Sequence, residues 1–197
     1  MRQRRDDAPS MTETDRGFCD RAIAYLKVAI VDNNPAIEVT GPDEPVLRAV
    51  GNGLPAAYLV DVGFAFRYVQ RRHLLGANVT ADELHNRAVA NLLDFSRDRL
   101  EIRPYQGIFA VLLGGNFEAS LLLAGSLWDD RLAHLAPNGF VAAAPARDLL
   151  AFCDASSEGG IIELRAVITR AEAAGVDHAL TPTLLRRHGK SWVRYAL

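Results

Sequence analysis

The chain has 197 residues, below the roughly 250 at which single cores stop growing, so one domain is expected. Its residues are 49% hydrophobic and 23% charged, which supplies a core and excludes a disordered or fibrous chain. A formal net charge of -2 gives no global field for attracting nucleic acid or an anionic membrane, so neither is expected as a partner.

Residues 1–16 mix Arg2, Arg4 and Arg5 with Asp6, Asp7, Glu13 and Asp15, and no apolar run marks a secretory signal there. They are expected to form a flexible tail, with a single domain over residues 17–197. From Asp15 to Val31 the apolar residues Phe18, Ala22, Tyr25, Leu26, Ala29 and Ile30 have helical spacing, and Asn33, Asn34 and Pro35 end the run. Ile37–Thr40, Val46–Val50 and Ala57–Asp61 then alternate between the turn residues Gly41-Pro42 and Gly51-Asn52-Gly53, which predicts short strands. Phe64, Phe66 and Tyr68 share one face of a further strand and are expected to be buried against helices.

Thr80 and Glu83 have the spacing of a capping box, in which each side chain satisfies the other's backbone N–H. Leu84, Ala88, Leu92 and Phe95 follow at helical spacing, so the helix runs to about Arg97. Ile108–Leu113 is a continuous apolar run ended by Gly114-Gly115, the pattern of a strand buried on both faces. Asn116 is placed to cap a helix carrying Phe117, Leu121, Leu122 and Trp128 and ending at Pro137-Asn138-Gly139. Phe140–Ala144 is a second buried strand. Pro145 then suits the first turn of a short helix with Leu149, Leu150 and Phe152. Ser156 or Ser157 caps a longer helix with Ile161, Leu164 and Ile168 inward. Thr183–Arg187 and Ser191–Tyr195 flank His188-Gly189-Lys190 and predict a closing edge hairpin.

The loop from Leu113 to Glu118 joins a strand to a helix start, where free backbone N–H groups can hold an anion. An ordinary turn uses the same residues: the glycines supply positive φ, Asn116 caps, and Glu118 complements the helix dipole. Ser120 lacks a GxSxG setting, so it is not expected to be a hydrolase nucleophile. Arg147 and Asp148 after a buried strand could line a cleft or simply tie a loop, and the sequence does not choose between these. Asp82 and His85 lie three apart, but no second ligand segment completes a shell, so no metal site is expected. Neither GxGxxG nor GxxxxGK[ST] occurs, and no cofactor is expected. Cys19 and Cys153 belong to no CxxC pair, and Cys153 reads as a small buried hydrophobe. Arg186, Arg187, His188, Lys190 and Arg194 with Trp192 and Tyr195 have the composition of a nucleic-acid surface, yet a solvated, charge-protected edge accounts for them better. No apolar stretch reaches the roughly 18 uncharged residues of a membrane span, so a cytoplasmic protein is expected.

Four separated segments carry a family resemblance: residues 80–92 (Thr-Ala-Asp-Glu-Leu-His-Asn-Arg-Ala-Val-Ala-Asn-Leu), 114–123 (Gly-Gly-Asn-Phe-Glu-Ala-Ser-Leu-Leu-Leu), Leu127-Trp128, and 145–152 (Pro-Ala-Arg-Asp-Leu-Leu-Ala-Phe). In order and spacing they resemble the YtpQ-like family of uncharacterised bacterial proteins, over about residues 46–197. The resemblance implies a bacterial cytoplasmic α/β protein and transfers no catalytic residue.

The expected fold is therefore α+β, a central mixed sheet packed against several helices in one layered domain. The expected function is a non-enzymatic binding or protein-interaction module, with a protein partner or a second copy as the occupant of an open sheet edge. The alternative is a hydrolase or other small-molecule enzyme whose cleft is formed by Glu118, Arg147 and Asp148. The candidate pocket comprises Asn116, Glu118, Ser120, Arg147 and Asp148.

Overall fold

The computed structural model describes residues 14–28 and 41–196, and the expected strand Ile37–Thr40 lies outside them, as does most of the expected tail. Thr14 caps the first helix, α1 (Asp15–Asp20), by accepting the Gly17 N–H on its hydroxyl. The helix predicted to run to Val31 stops there: residues 23–26 are strand β1 (Ile23–Leu26), and 29–31 lie outside the described residues. Ala24, Tyr25 and Leu26 are all buried, and a run buried on both faces carries no period that distinguishes strand from helix.

The first sheet adds β2 (Arg48–Ala49), β3 (Pro55–Asp61) and β4 (Phe66–Tyr68), all antiparallel. Strand β3 is central, with β1 on one side and β2 and β4 on the other. Alternation along β3 divides the core: Tyr58 and Val60 pack with Phe18, Leu84 and Ala88, whereas Leu59 joins the central cluster. Helices α2 (Arg71–Ala77) and α3 (Ala81–Ser96) follow. The α3 start is the predicted capping box, with Glu83 N donating to the Thr80 hydroxyl at 3.2 Å and Thr80 N to the Glu83 carboxylate at 2.8 Å.

The expected burial of the aromatic trio fails for Phe64 and Phe66, while Tyr68 is half-buried against the central cluster. Phe64 is 93% exposed and Phe66 45% exposed. Strand β4 pairs only with the last residues of β3, from Leu59 to Asp61, and residues 62–65 form the turn between them. Phe64 therefore sits on a hairpin tip rather than over a core.

The second sheet holds β5 (Glu101–Tyr105), β6 (Ile108–Leu112), β7 (Phe140–Ala146), β8 (Leu149–Asp154), β9 (Leu185–His188) and β10 (Ser191–Arg194), with α4 (Glu158–Ala174) between β8 and β9. Its order is β10-β9-β7-β8-β6-β5, and every pairing is antiparallel. Two antiparallel sheets thus stand where one mixed sheet was expected, within an α+β class that holds. Tight turns at Gln106-Gly107, Arg147-Asp148 and Gly189-Lys190 join neighbouring strands, which only antiparallel pairing allows.

Pro145 does not open a helix. It lies in β7 at a register shift between Ala143 and Ala146, where its missing N–H costs no ladder bond, and residues 149–154 form β8. Leu150 and Phe152 face the central cluster while Ala151 and Cys153 face α4, a period of two that the proline obscured. Residues 116–135 form no single helix either. They make a 3-10 turn at Ala119–Leu123, a π turn at Leu127–Arg131 and a second 3-10 turn at Ala133–Leu135, all between the sheets.

The central cluster draws Tyr25 and Leu59 from the first sheet, Phe140 and Phe152 from the second, and Trp128 from between them, so one core joins both sheets. Helix α4, capped by Ser157 as expected, covers the far face of the second sheet through Leu164 and Ile168. Its approach is set by Gly160, where an added Cβ would lie 2.7 Å from the Gly107 carbonyl oxygen and 2.8 Å from the Cys153 Cβ. Alanine there would gain about 1 kcal/mol in helix propensity, but backbone overlap costs roughly 1–3 kcal/mol. Gly160→Ala is therefore expected to lower stability by up to about 2 kcal/mol in urea titration, and a stabilised variant would contradict the tight α4–sheet contact.

Candidate functional site

The glycine turn after β6 was the leading anion site in the sequence. Gly114 and Gly115 adopt φ of 90° and 88°, a region closed to most side chains, and this turns the backbone N–H groups inward. They are already occupied. Glu118 Oε1 accepts from Leu113 N at 2.8 Å and Gly115 N at 2.7 Å, and Oε2 accepts from Phe117 N at 3.1 Å. The carboxylate is 2% exposed, so the turn holds its own anion and presents none of these donors to a ligand.

The other candidates separate. Ser120 is buried, and its hydroxyl accepts the Leu26 N–H at 2.9 Å, which ties the 3-10 turn to β1. Arg147 and Asp148 form the β7–β8 turn, with the Arg147 carbonyl accepting Ala119 N and the Arg147 N–H donating to the His178 carbonyl. Asn116 and Arg147 do line one cleft, whereas Glu118, Ser120 and Asp148 do not.

That cleft is about 470 Å³ and opens where the first sheet meets the β7–β8 turn. Its floor is aromatic: Tyr25 and Phe66 both set their rings nearly perpendicular to Phe117, at 5.9 and 5.6 Å. Tyr68 lies beside them, with the Lys27 ammonium 5.1 Å above its ring. Lys27 enters from the end of β1 and Arg147 from the second sheet, and no carboxylate is among the described residues that line the cleft. The Arg147 guanidinium has no hydrogen bond or ion pair among the described residues. His178, at φ 55°, completes the rim from the loop after α4, held there by the Leu180 N–H to Pro145 carbonyl bond of 2.8 Å. Sequence reasoning missed Lys27, Tyr68 and His178, because nothing in the local pattern brings positions 27, 68 and 178 together.

A second groove of about 670 Å³ runs between Val46, Leu47, Leu74, Leu75 and Val79, with Leu47 and Leu75 exposed. Its two charges, Glu44 and Arg71, are paired at 3.0 Å. Asp82 and His85 are likewise engaged, Asp82 with Arg48 and His85 Nδ1 with the buried Tyr58 hydroxyl at 3.1 Å. No group of three His, Cys, Asp or Glu that could hold a metal occurs among the described residues. Burial, reinforced by Asp154, pushes the Cys153 thiol up to about 11, which leaves it unreactive as expected. In the basic C-terminal hairpin Trp192 is buried against Trp128 and Arg187 against Asp129, so neither is available for base stacking.

His73 and His85 give the fold a pH dependence. Burial is the main cause that lowers both below the ordinary 6.5, with Arg72 adding for His73 and Arg48 for His85. His73 Nδ1 also accepts the Gln70 N–H at 2.9 Å, which protonation there would remove. The unfolded chain takes up protons first as pH falls through about 6.5, so stability from these groups is present above that pH and lost below it. The urea midpoint is expected to drop between pH 7.5 and 5.5. His73→Gln, which keeps an acceptor at this capping position without a titrating ring, is expected to shrink the drop. A midpoint that rises on acidification would reverse the assignment.

Comparison with protein-family models, with curated proteins and with solved structures finds no match, so the function has to be read from the cleft itself.

Proposed function

We propose that the chain is a cytoplasmic, non-enzymatic binding module whose ligand enters the cleft between the two sheets. The observation that carries this is the cleft lining: aromatic rings and two cations, without a carboxylate among its described residues. Acid–base or nucleophilic chemistry needs a reacting group held by a partner within hydrogen-bond reach. The His178 ring has no such partner among the described residues. A ligand site needs only concavity, apolar surface and a few directed polar groups, and 470 Å³ is an ordinary size for one. The enzyme alternative has less support, because Glu118 spends both carboxylate oxygens on its own turn and Asp148 lies outside the lining.

The proposed kinship with the YtpQ-like family rests on its four sequence segments. These are the α3 cap, the Glu118 turn, Trp128 and the β7–β8 turn, and each has a structural role described above.

A small-fragment screen followed by backbone amide shifts is the test. Saturable shifts gathered on Lys27, Tyr68, Phe117 and Arg147 support the reading. Shifts gathered instead on Leu47 and Leu75, or turnover of ester or phosphoester substrates abolished by Arg147→Met, would overturn it.

A further inference from the structure

We infer that the ligand of this cleft is an aromatic anion, a flat ring bearing a carboxylate or phosphate, and that Arg147 is its anchoring residue. The inference rests on the binding reading above and adds the ligand's chemistry.

Charge is the first argument. Lys27 and Arg147 approach one space from different sheets, and no acid among the described residues lining it offsets them. Several other arginines are paired, Arg48 with Asp82, Arg71 with Glu44 and Arg187 with Asp129 among them, while Arg147 faces the cleft without such a partner among the described residues. Among the described residues Lys27 is engaged by the Tyr68 ring face and by no carboxylate. An oxyanion bound between these two cations gains charge-assisted hydrogen bonds from groups that line the same cleft. The guanidinium fork suits a carboxylate or phosphate edge and cannot lose its proton.

Ring geometry is the second argument. Phe117 is 2% exposed and fixed by Tyr25, Phe66 and Phe95 around it, with Phe95 at 5.3 Å. The floor is therefore already ordered before a ligand arrives. Phe66, 45% exposed in a strand with no core above it, offers uncovered aromatic surface at the same rim. A flat ring gains offset or edge contacts there that an alkyl chain of equal area lacks. A ring laid against Phe66 and an oxyanion at Arg147 account together for the exposed aromatic and for an arginine without an ion pair among the described residues.

The experiment titrates the full chain by calorimetry and amide shifts with 2-naphthoate, its neutral amide 2-naphthamide, hexanoate and adenosine monophosphate. 2-Naphthoate is expected to bind saturably at the cleft, at least tenfold more tightly than 2-naphthamide and than hexanoate. Arg147→Met is expected to weaken 2-naphthoate at least tenfold while leaving 2-naphthamide unchanged. Arg147 is a surface turn residue acting through its backbone in the fold, so the variant keeps the wild-type urea midpoint. Tighter binding of adenosine monophosphate than of 2-naphthoate would also support an aromatic anion and assign a phosphate rather than a carboxylate. Equal affinity for the acid and its amide, equal affinity for hexanoate, or indifference to Arg147→Met would overturn the aromatic-anion assignment while leaving a binding cleft. Failure of all four probes to shift the cleft amides, with shifts on Leu47 and Leu75 in the fragment screen, would instead overturn the underlying binding reading.

Discussion

Replacing Glu118 with alanine is expected to cost about 4 kcal/mol of folding stability, although a surface glutamate in a glycine turn would cost almost nothing. The side chain accepts three backbone N–H groups, two of them in fully buried surroundings, at 2.7–3.1 Å. Hydrogen bonds to a charged group contribute roughly 1.5–3 kcal/mol each, and an orphaned buried donor costs about 1–3 kcal/mol, so partial additivity gives the figure. Glu118→Gln separates the contributions. Its one oxygen can still accept from Leu113 and Gly115, but its amide would meet the Phe117 N–H donor to donor. About half the loss is expected. Urea unfolding at unchanged m-value measures both, and a Glu118→Ala cost under about 1 kcal/mol would show that the turn stands without its internal anion.

Trp128→Ala is expected to be comparably damaging, at about 4–5 kcal/mol. The indole is fully buried and takes edge contacts from Trp192, Phe140 and Phe152 at 4.9, 5.2 and 5.4 Å. Its Nε1 donates to the Leu121 carbonyl at 2.8 Å, which links the π turn to the preceding 3-10 turn. Truncation removes the ring that joins the second sheet to the irregular segment between the sheets, and collapse cannot refill it because its neighbours are anchored in strands. Trp128→Phe keeps most of the ring contact and removes one of the two hydrogen bonds that Leu121 O accepts, the other coming from Ala124 N, so about 1–2 kcal/mol is expected. Near-UV circular dichroism provides a second readout, since the Trp128–Trp192 pair disappears in either variant. A Trp128→Ala protein within 2 kcal/mol of the parent by urea titration would mean that the second sheet does not depend on this ring.

Local chemistry was legible where neighbours in sequence are also neighbours in space. The Thr80–Glu83 capping box, the Ser157 cap and the Gly189-Lys190 turn needed only residues a few positions apart. The positions of strands β6 and β7 were legible because their apolar runs are short and each begins after a glycine, but β6 is not buried on both faces as expected, since Leu112 is exposed. Strand β1 was misread because burial on both faces erases its period, and β8 because Pro145 imitates a helix start while sitting at a bulge. Strand β5 escaped notice because an edge strand that is mostly exposed carries little hydrophobic pattern, and as an edge it tolerates Pro104.

The sequence by itself therefore determined the α+β class, the principal caps and turns, and the presence of a special loop at Gly114-Gly115. Only the tertiary structure decided that Glu118 turns back into that loop, and that Arg147 meets Lys27 and Tyr68 across a cleft. The physical reason is range. Capping and turn preferences act over three or four residues, while the meeting of positions 27, 68, 147 and 178 depends on how two sheets share one core, and no local period encodes that.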